Sequence, residues 1–239
     1  MKTSVKIPLT YLFASALWIA GSDAMLGYFF PLWSALGLYK DWLFAIAGAS
    51  LLFALLRREA SKRDAVEDGL RRLAMYDPLT GLLNRSSFAE NLELAVARAA
   101  REDRKVGVVF VDLDGFKGIN DAHGHHVGDH LLKEVARRIR RVVRSDDHAG
   151  RFGGDEFVIL FHGDREESGK RVTERLMEAL RAPLWIDGRL LAVTASVGYA
   201  MYPDHGTMGE HLLRAADLAM YRGKQLGKNA AIEARPYAA

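Results

Sequence analysis

From residue 151 to residue 161 the chain has the sequence Arg151-Phe152-Gly153-Gly154-Asp155-Glu156-Phe157-Val158-Ile159-Leu160-Phe161. The two glycines lie between aromatic-flanked extended segments, so the backbone is expected to turn tightly there with positive φ. The β-prone apolar run that follows places the two adjacent acids at the start of a strand. Because like charges repel, acids at a hairpin tip suit a bound cation or a phosphate-bearing ligand. Taken alone, the pattern is more typical of a solvated turn.

A second run of residues that ends in acids precedes this hairpin. Residues 106–114 have the sequence Val-Gly-Val-Val-Phe-Val-Asp-Leu-Asp, which is typical of a buried strand. Side chains alternate across a strand, so Asp112 and Asp114 point to the same face. A strand-end Asp beside a hairpin-tip Asp forms an oxygen-ligand Mg²⁺ site that substrate phosphates complete. The sequence has no Walker loop, so the pattern suggests nucleotidyl transfer of the polymerase-palm type.

Composition limits the other classes of function. The formal net charge of the 239 residues is only +3, and much of the excess follows an apolar segment, which favours membrane topology over binding of a nucleic acid polymer. These basic residues are Arg57, Arg58, Lys62, Arg63, Arg71 and Arg72. The absence of cysteine excludes disulfides and thiolate zinc sites.

The first 56 residues predict a two-helix membrane anchor. Apolar character extends through residues 7–38, interrupted at Asp23 and Pro31, and returns in residues 42–56. Lysines before the first segment and arginines after the second place both ends in the cytoplasm, as in a multi-pass protein of the inner membrane. A secretory signal peptide is the less favoured alternative, because it would export the catalytic part away from nucleoside triphosphates.

Residues 57–76 predict a helical linker between the anchor and a globular domain at 77–239. The linker is charged and helix-prone, with a partial three-four spacing of apolar residues. A short parallel coiled coil and a solvated single helix fit this spacing equally well.

The globular domain predicts an α/β (α+β) fold, a mixed β-sheet covered by helices, because helices and strands interleave while hairpins also occur. The predicted elements are a helix from a cap at Ser86 or Ser87 to Arg104, strand 106–112, helix 127–144, strand 156–161, helix 166–181, a hairpin turning at Asp187-Gly188, strand 191–201, helix 208–222 and a short strand 229–233.

Residues 77–233 resemble the GGDEF-type diguanylate cyclases. The resemblance depends on five separate matches: Asp-Pro-Leu-Thr-Gly-Leu-Leu-Asn-Arg at 77–85, Asp-Leu-Asp-Gly-Phe-Lys-Gly-Ile-Asn-Asp at 112–121, Gly-His-His-Val-Gly-Asp at 124–129, Gly-Gly-Asp-Glu-Phe at 153–157 and Ala-Asp-Leu-Ala-Met-Tyr at 216–221. It implies the palm-like sheet of nucleotide cyclases. It also implies synthesis of cyclic di-GMP from two GTP molecules, with release of two pyrophosphates, by a homodimer in which each protomer holds one GTP.

The resemblance also implies roles for the acids. Asp112 and Asp155 would hold Mg²⁺, or Mn²⁺ in its place, with the Leu113 carbonyl as a further ligand. Glu156 would be either a second metal ligand or the base that takes the 3′ proton. Asp114 is less clearly a ligand, and pairing with a neighbouring cation is the other interpretation.

Asn120 and Asp129 match the positions with which the family recognises guanine. An amide and a carboxylate suit the edge of guanine, because its N1–H and N2 amino groups donate while O6 accepts. An Asx turn at Asn120 and a helix N-terminal acid at Asp129 are the structural alternatives.

The phosphate contacts implied by the resemblance come from glycines, backbone N–H groups and lysines. The Phe116-Lys117 turn would offer an anion nest to the terminal phosphates. Lysine stands at 228 where the family usually has arginine, which keeps the charge and loses the bidentate fork. The residues are Phe116, Lys117, Gly153, Gly154, Lys224 and Lys228. For the two lysines, a solvated helix end is the alternative.

Arg144 and Asp147 match the Arg-x-x-Asp motif of product inhibition by cyclic di-GMP, with five residues between Asp147 and Gly153. An arginine followed by acids at a helix end is also a common surface pattern. The four histidines at 123, 125, 126 and 130 allow a transition-metal interpretation, but the Gly-His-x-x-Gly-Asp match explains them better.

Two other functions stay open alongside the enzyme. A catalytically silent domain of this type would act as a receptor for GTP or cyclic di-GMP, and loss of one of the acids would favour it. An ordinary nucleotide cyclase of related fold would release a monomeric cyclic nucleotide instead.

Overall fold

The computed structural model describes residues 37–163, 168–186 and 188–237, together with residues 14–15, 17–18, 21–22, 25 and 28. The chain divides into two compact units, Met1–Asp68 and Gly69–Ala239.

Helix α1 extends without interruption from Gly37 to Met75, so the predicted linker continues the second apolar segment as one helix of 39 residues. Within the described part of the chain, no helix has both the length and the apolar character needed to cross a membrane. The predicted transmembrane hairpin is therefore not supported. The uncharged run from 42 to 56 ends at Arg57 and is shorter than the roughly 20 residues that a spanning helix needs. Most of the first predicted span lies outside the described residues.

A five-stranded mixed sheet forms the centre of the second unit, in the order β2-β3-β1-β6-β7. Neighbouring strands are antiparallel except for the parallel pair β6–β7. Strands β4 and β5 form a separate two-stranded hairpin. The strands are β1 (Lys105–Asp114), β2 (His148–Gly153), β3 (Glu156–Gly163), β4 (Leu184–Ile186), β5 (Arg189–Leu191), β6 (Thr194–Tyr202) and β7 (Ala231–Glu233).

Helices cover both faces of this sheet, which confirms the predicted fold class. The helices after α1 are α2 (Arg85–Glu102), α3 (Phe116–His123), α4 (His125–Val142), α5 (Ser168–Arg181) and α6 (Gly209–Gln225). Helices α4 and α5 pack on one face, where β1 contributes Val109, Val111 and Leu113. Helices α2 and α6 pack on the other face, where β1 contributes Val108 and Phe110. Side chains alternate along the strand, so Asp112 and Asp114 continue the face that α6 covers.

Three local predictions were wrong. Helix α2 is capped by Asn84, whose Oδ1 accepts from the Ser87 N–H at 3.0 Å, because the two serines already lie in the first helical turn. The segment from Phe116, predicted as a turn, is helix α3. The predicted strand 191–201 is divided, because Leu191 pairs with Leu184 in the separate hairpin whereas Thr194 pairs with Asp114 in the main sheet.

Candidate active site

The acids from the two predicted strands come together at one end of the sheet. In the β1–β3 ladder Asp112 lies directly opposite Glu156, and the Leu113 N–H donates to the Asp155 carbonyl at 3.3 Å. Asp112 is buried, with 7 % of its surface exposed. Residues that are more than forty positions apart in the sequence are therefore held side by side by strand pairing.

The Gly-Gly turn that joins β2 to β3 has the conformation predicted for it. Gly153 has φ 152° and Gly154 has φ 48°, and the β2–β3 register shifts just before them. No atom lies within 4 Å of the position that a Cβ would occupy at either glycine. The turn is thus open on the outside, where a ligand can approach the backbone.

Arg151 holds this turn in place. Its Nε and Nη2 atoms donate to the Gly154 carbonyl at 3.1 and 2.7 Å. Its Nη1 atom pairs with the Asp77 carboxylate, which also accepts from the backbone and hydroxyl of Thr80 at 2.8 and 2.6 Å. Burial raises the pKa of Asp77, but the hydrogen bonds from Thr80 and Arg151 outweigh it and lower the pKa overall. The Asp-Pro-Leu-Thr segment and the acidic hairpin are one connected unit, a link that the sequence did not predict.

Burial and neighbouring carboxylates raise the pKa values of Asp112 and Glu156. Burial is the largest cause of the raised pKa of Asp112, and the charges of Asp155 and Asp114 add to it against the opposing effect of Lys224. The pKa of Glu156 is likewise raised, first by burial and then by nearby carboxylates. Those carboxylates are Asp112, Asp217 and Asp155. Asp217, on α6, is an acid that the sequence analysis did not single out.

Lys224 is the cation that this cluster already contains. Its Nζ lies 2.7 Å from Asp112 Oδ2. The described residues include no group of three or more acid or histidine side chains arranged as a complete metal site. The donor set nevertheless fits Mg²⁺, because Asp112, Asp155 and Glu156 offer only oxygen atoms. Burial and neighbouring carboxylates raise the pKa values of Asp112 and Glu156, and a hard cation would relieve the repulsion between those carboxylates. Substrate phosphates would complete such a shell.

The predicted guanine-recognition residues come from α3 and α4. The Oδ1 atom of Asn120 is buried and has no hydrogen-bond partner, so it does not form the alternative Asx turn. Gly128 makes room for it, since a Cβ there would lie 1.9 Å from that oxygen. Asp129, the next residue, is exposed on the second turn of α4. A buried acceptor without a donor is costly unless a ligand supplies one.

Phe116 and Lys117 begin a helix rather than a turn. Gly115, with φ 74°, precedes them as the N-cap of α3. Lys117 is exposed, whereas Phe116 packs partly against the core. The backbone N–H groups of a first helical turn have no partner within the helix, so they remain available to an anion.

Asp114 lies beside Asp112 but is occupied by the protein itself. Its carboxylate accepts hydrogen bonds from the hydroxyls of Thr194 and Ser196, both at 2.7 Å, and from the Asn229 N–H at 3.0 Å. Within the described part of the chain this carboxylate forms no ion pair with a cation, contrary to one interpretation of the sequence. Lys228, the neighbour of Asn229, is exposed and has φ 66°.

The two residues of the predicted inhibitory motif differ in what they can bind. Asp147, whose side chain is 7 % exposed, accepts from the backbone N–H groups of Arg144 at 2.9 Å and of His162 at 3.2 Å. Its carboxylate therefore stabilises the local turn, while the side chain of Arg144 is exposed. A cavity of about 360 Å³ is lined by both residues and by Arg171 and Arg175 of α5, which the sequence analysis did not identify.

The histidines form no complete metal site in the described residues. The rings of His126 and His130 lie 4.4 Å apart, and His123 Nδ1 lies 3.2 Å from a guanidinium nitrogen of Arg189.

Known proteins with similar sequences carry the same domain. The family model "Diguanylate cyclase, GGDEF domain" matches residues 74–230. The bifunctional diguanylate cyclase/cyclic di-GMP phosphodiesterase MucR of Pseudomonas aeruginosa is 44 % identical over 67 % of this chain and 23 % of its own length. The cyclic di-GMP phosphodiesterase NbdA of the same organism is 42 % identical over 70 % of this chain and 21 % of its own length. The chain thus spans less than a quarter of the length of these relatives.

Solved structures agree with the fold. The GGDEF domain of YfiN from Pseudomonas aeruginosa superimposes with a TM-score of 0.64 at 34 % identity, over 66 % of this chain and 99 % of that one. The coiled coil and GGDEF domain of DgcB from Caulobacter crescentus, in complex with c-di-GMP, give a TM-score of 0.67 at 29 % identity, over 77 % of this chain and 99 % of that one. With its acidic hairpin opposite Asp112 and the family model matched over residues 74–230, this chain belongs to the GGDEF domain family of diguanylate cyclases.

Proposed function

We propose that the protein is a diguanylate cyclase that condenses two GTP molecules into cyclic di-GMP and releases two pyrophosphates. The observation that carries the proposal is the convergence of Asp112 and Glu156 on two paired strands with Asp155 in the adjoining turn, and no acid of the motif is replaced. Relatives named as cyclases and relatives named as phosphodiesterases both match this region. Membership of the family alone therefore does not assign the activity, and the intact acids support cyclase activity over a silent domain.

In the proposed reaction the 3′-hydroxyl oxygen of one GTP attacks the α-phosphorus of the other. The new O3′–Pα bond replaces the bond from Pα to the bridging oxygen, so pyrophosphate leaves. The hydroxyl proton passes to a nearby base. Glu156 suits this role because its pKa is raised towards that of an effective general base. The same step with the two nucleotides exchanged closes the ring.

Asp112, Asp155 and the Leu113 carbonyl would hold Mg²⁺, or Mn²⁺ in its place. When bound, the ion neutralises charge that develops on the phosphates. Lys224 lies beside Asp112 and supplies a second positive charge to the triphosphate. The first-turn N–H groups of α3, at Phe116 and Lys117, serve the terminal phosphates.

Guanine is recognised in this proposal by Asn120 and Asp129. The buried Asn120 Oδ1 accepts an N–H of the base, which gives that atom the partner it lacks within the protein. The exposed carboxylate of Asp129 accepts a second donor from the same edge. Adenine presents no such pair of donors at the corresponding positions, so GTP is preferred over ATP.

The proposed enzyme acts as a homodimer, because each site supplies one nucleotide and the reaction joins two. Cyclic di-GMP is proposed to inhibit it through the cavity lined by Arg144, Arg171 and Arg175. Arginines stack on guanine and bind phosphate with two parallel hydrogen bonds. His162 lines this cavity and lies six residues along β3 from Glu156, which corresponds to about 20 Å. The proposed inhibitory site is therefore separate from the acid cluster.

Product analysis of the purified full chain tests the proposal. The protein is incubated with GTP, with and without Mg²⁺, and products are identified by mass spectrometry beside an Asp155→Ala variant. Cyclic di-GMP is expected only with Mg²⁺ and only from the unmodified protein. Glu90→Ala, an exposed acid on α2, is the matched control and keeps activity. A monomeric cyclic nucleotide would assign an ordinary cyclase. Binding of GTP without turnover, in protein shown to be dimeric, would assign a receptor.

A further inference from the structure

The turn between α6 and β7 has an unfavourable backbone. Three consecutive residues have positive φ: Gly227 at 113°, Lys228 at 66° and Asn229 at 48°. The left-handed region is open to glycine but costly for residues with a side chain. Two adjacent non-glycine residues in that region persist only where other contacts hold them, and such strain is concentrated at functional sites. The contacts that hold this turn therefore indicate what it is for.

Asp114 provides the first contact. Its Oδ2 atom accepts from the Asn229 N–H at 3.0 Å and from the Thr194 hydroxyl at 2.7 Å. Its Oδ1 atom accepts from the Ser196 hydroxyl at 2.7 Å. Both oxygens of the carboxylate are thus fixed on β6, and the backbone of Asn229 is fixed on the carboxylate. Donors of the protein thus occupy three of the roughly four lone-pair positions of the Asp114 carboxylate.

Arg181, the last residue of α5, provides the second contact. Its Nε atom donates to Asn229 Oδ1 at 2.9 Å, and its Nη2 atom donates to the Asn229 carbonyl at 3.4 Å. The Lys228 N–H donates to the Gly223 carbonyl at 3.1 Å, which ties the turn to α6. Asn229 is therefore held from one side by β1 and from the other by α5. Neither element is adjacent to the turn in the sequence.

The turn lies next to the acid cluster. Asp114 is two residues along β1 from Asp112 and points to the same face. Asp112 in turn pairs with Lys224 of α6, the helix that leads into the turn. The strained turn thus places Lys228 at the border of the site in which the triphosphate is proposed to bind.

We infer that Asp114 and Arg181 are positioning residues that fix the turn 227–229, and with it Lys228, against the phosphates of the nucleotide. Neither residue touches the nucleotide, and Asp114 is not a metal ligand. The inference rests on the proposed function for the identity of the ligand. The strained turn and the two contacts that hold it stand independently of that function.

The test combines substitution of Arg181 with substitution of Lys228. Arg181 is exposed at a helix end, so Arg181→Ala is expected to fold normally. We expect this variant to raise the KM for GTP by about tenfold while kcat stays within about twofold, because the lost contact serves ground-state binding. Affinity for GTP and for inorganic pyrophosphate, measured by calorimetry without divalent ions, is expected to fall by a similar factor. Asp114→Asn is the second variant and should show the same pattern.

A double-mutant cycle separates positioning from a general structural role. If Arg181 acts through Lys228, Arg181→Ala has no further effect on affinity once Lys228→Ala is present. A merely structural residue would lower the melting temperature and weaken binding additively with Lys228→Ala. The control is Lys170→Ala, which removes an exposed cation from the same helix and should change neither constant.

Each outcome of the cycle decides the inference. The inference is overturned if Arg181→Ala leaves GTP affinity unchanged, or if its effect on affinity adds to that of Lys228→Ala. In either case, cyclic di-GMP synthesis by the unmodified protein would leave the proposed function standing. Coupled losses of GTP affinity in a protein that makes no product support the positioning role and reject the enzyme. An unmodified protein that binds neither GTP nor pyrophosphate overturns both.

Discussion

Arg151 joins the Asp77 carboxylate to the tip of the acidic hairpin. Its Nη1 atom lies 3.1 Å from both Asp77 oxygens, and its Nη2 atom lies 2.7 Å from the carbonyl oxygen of Gly154. Both side chains are largely buried, with 12 % and 17 % of their surface exposed. The pair therefore fixes the turn that presents Asp155, from a segment some seventy residues earlier in the chain.

The first prediction follows from the fork of that guanidinium. Arg151→Lys keeps the charge, but the lysine cannot donate hydrogen bonds to Asp77 and Gly154 at the same time, because an ammonium group has no planar fork. We expect kcat to fall by about tenfold, since small displacements of catalytic groups have large effects on rate. Melting temperature and kcat are measured together. The control is Arg101→Lys, because Arg101 is an exposed residue on α2. An unchanged kcat would show that the turn holds its position without Arg151.

The second prediction concerns the stability that the fold loses because its acids are clustered. The raised pKa of Glu156 means that the folded state binds its proton more tightly than the unfolded state, whose pKa is near 4.5. Stability is therefore lost as pH rises from 4.5 through the raised pKa. Glu156→Gln should melt at a higher temperature than the unmodified protein at pH 7.5 in metal-free, nucleotide-free buffer. The difference should shrink below about pH 4.5, while turnover falls at least about a hundredfold.

Thermal melts across pH 4 to 8 check this expectation. Glu90→Gln is the matched control, an exposed acid that should follow the unmodified protein throughout. Asp217→Asn should shift the profile in the same direction as Glu156→Gln but by less, because Asp217 contributes only one of the charges that raise the pKa of Glu156. A Glu156→Gln variant less stable than the unmodified protein at pH 7.5 contradicts the argument.

The third prediction is a variant that should have a lower KM for GTP than the unmodified protein. Lys228 is exposed and its left-handed backbone accepts arginine as readily as lysine. A guanidinium can bind a phosphate with two parallel hydrogen bonds where an ammonium binds as a point charge. Lys228→Arg should therefore lower the KM for GTP by roughly threefold with little change in kcat. Steady-state kinetics with GTP test this prediction. A raised KM in Lys228→Arg would indicate that Lys228 lies away from the phosphates.

The fourth prediction separates the two residues of the inhibitory motif. Arg144→Ala should relieve inhibition by added cyclic di-GMP without a change in melting temperature, because its side chain is exposed. Asp147→Ala should instead destabilise the fold by about 1–3 kcal/mol, because it leaves two backbone N–H groups without their acceptor. Arg175→Ala should resemble Arg144→Ala if the cavity binds the product. Full inhibition in both arginine variants would exclude this cavity.

The sequence predicted those features that depend on periodicity or on turn chemistry. The alternation from Val106 to Asp114 and the Gly153-Gly154 pair specify a strand and a turn locally, and the structure has both. Asp112 and Asp155 were expected to meet, and strand pairing brings them together.

Features that depend on contacts distant in sequence were not predictable. Nothing near Arg151 indicates that its partner is Asp77, and nothing near Arg181 indicates Asn229. Asp147 was interpreted as a ligand-binding acid because its spacing fits the motif, but its burial against two backbone donors is visible only in the fold. The apolar segment at 42–56 resembled a membrane span by composition, yet it continues into the charged part of one helix.

The direct pairing of Asp112 with Glu156 in the β1–β3 ladder has an evolutionary consequence. These two carboxylates lie opposite each other because the register of the β1–β3 ladder is kept from Lys105 and Gly163 to Asp112 and Glu156. About 17 Å from Asp112, Gly107 fits closely against Phe161, where an added Cβ would lie 2.2 Å from the ring. The same Cβ would lie 2.6 Å from the sulfur of Met201, so a side chain at position 107 needs the space that both Phe161 and Met201 now fill. Residues 107, 161 and 201 are therefore expected to change together during evolution if the ladder that aligns Asp112 with Glu156 is to keep its register.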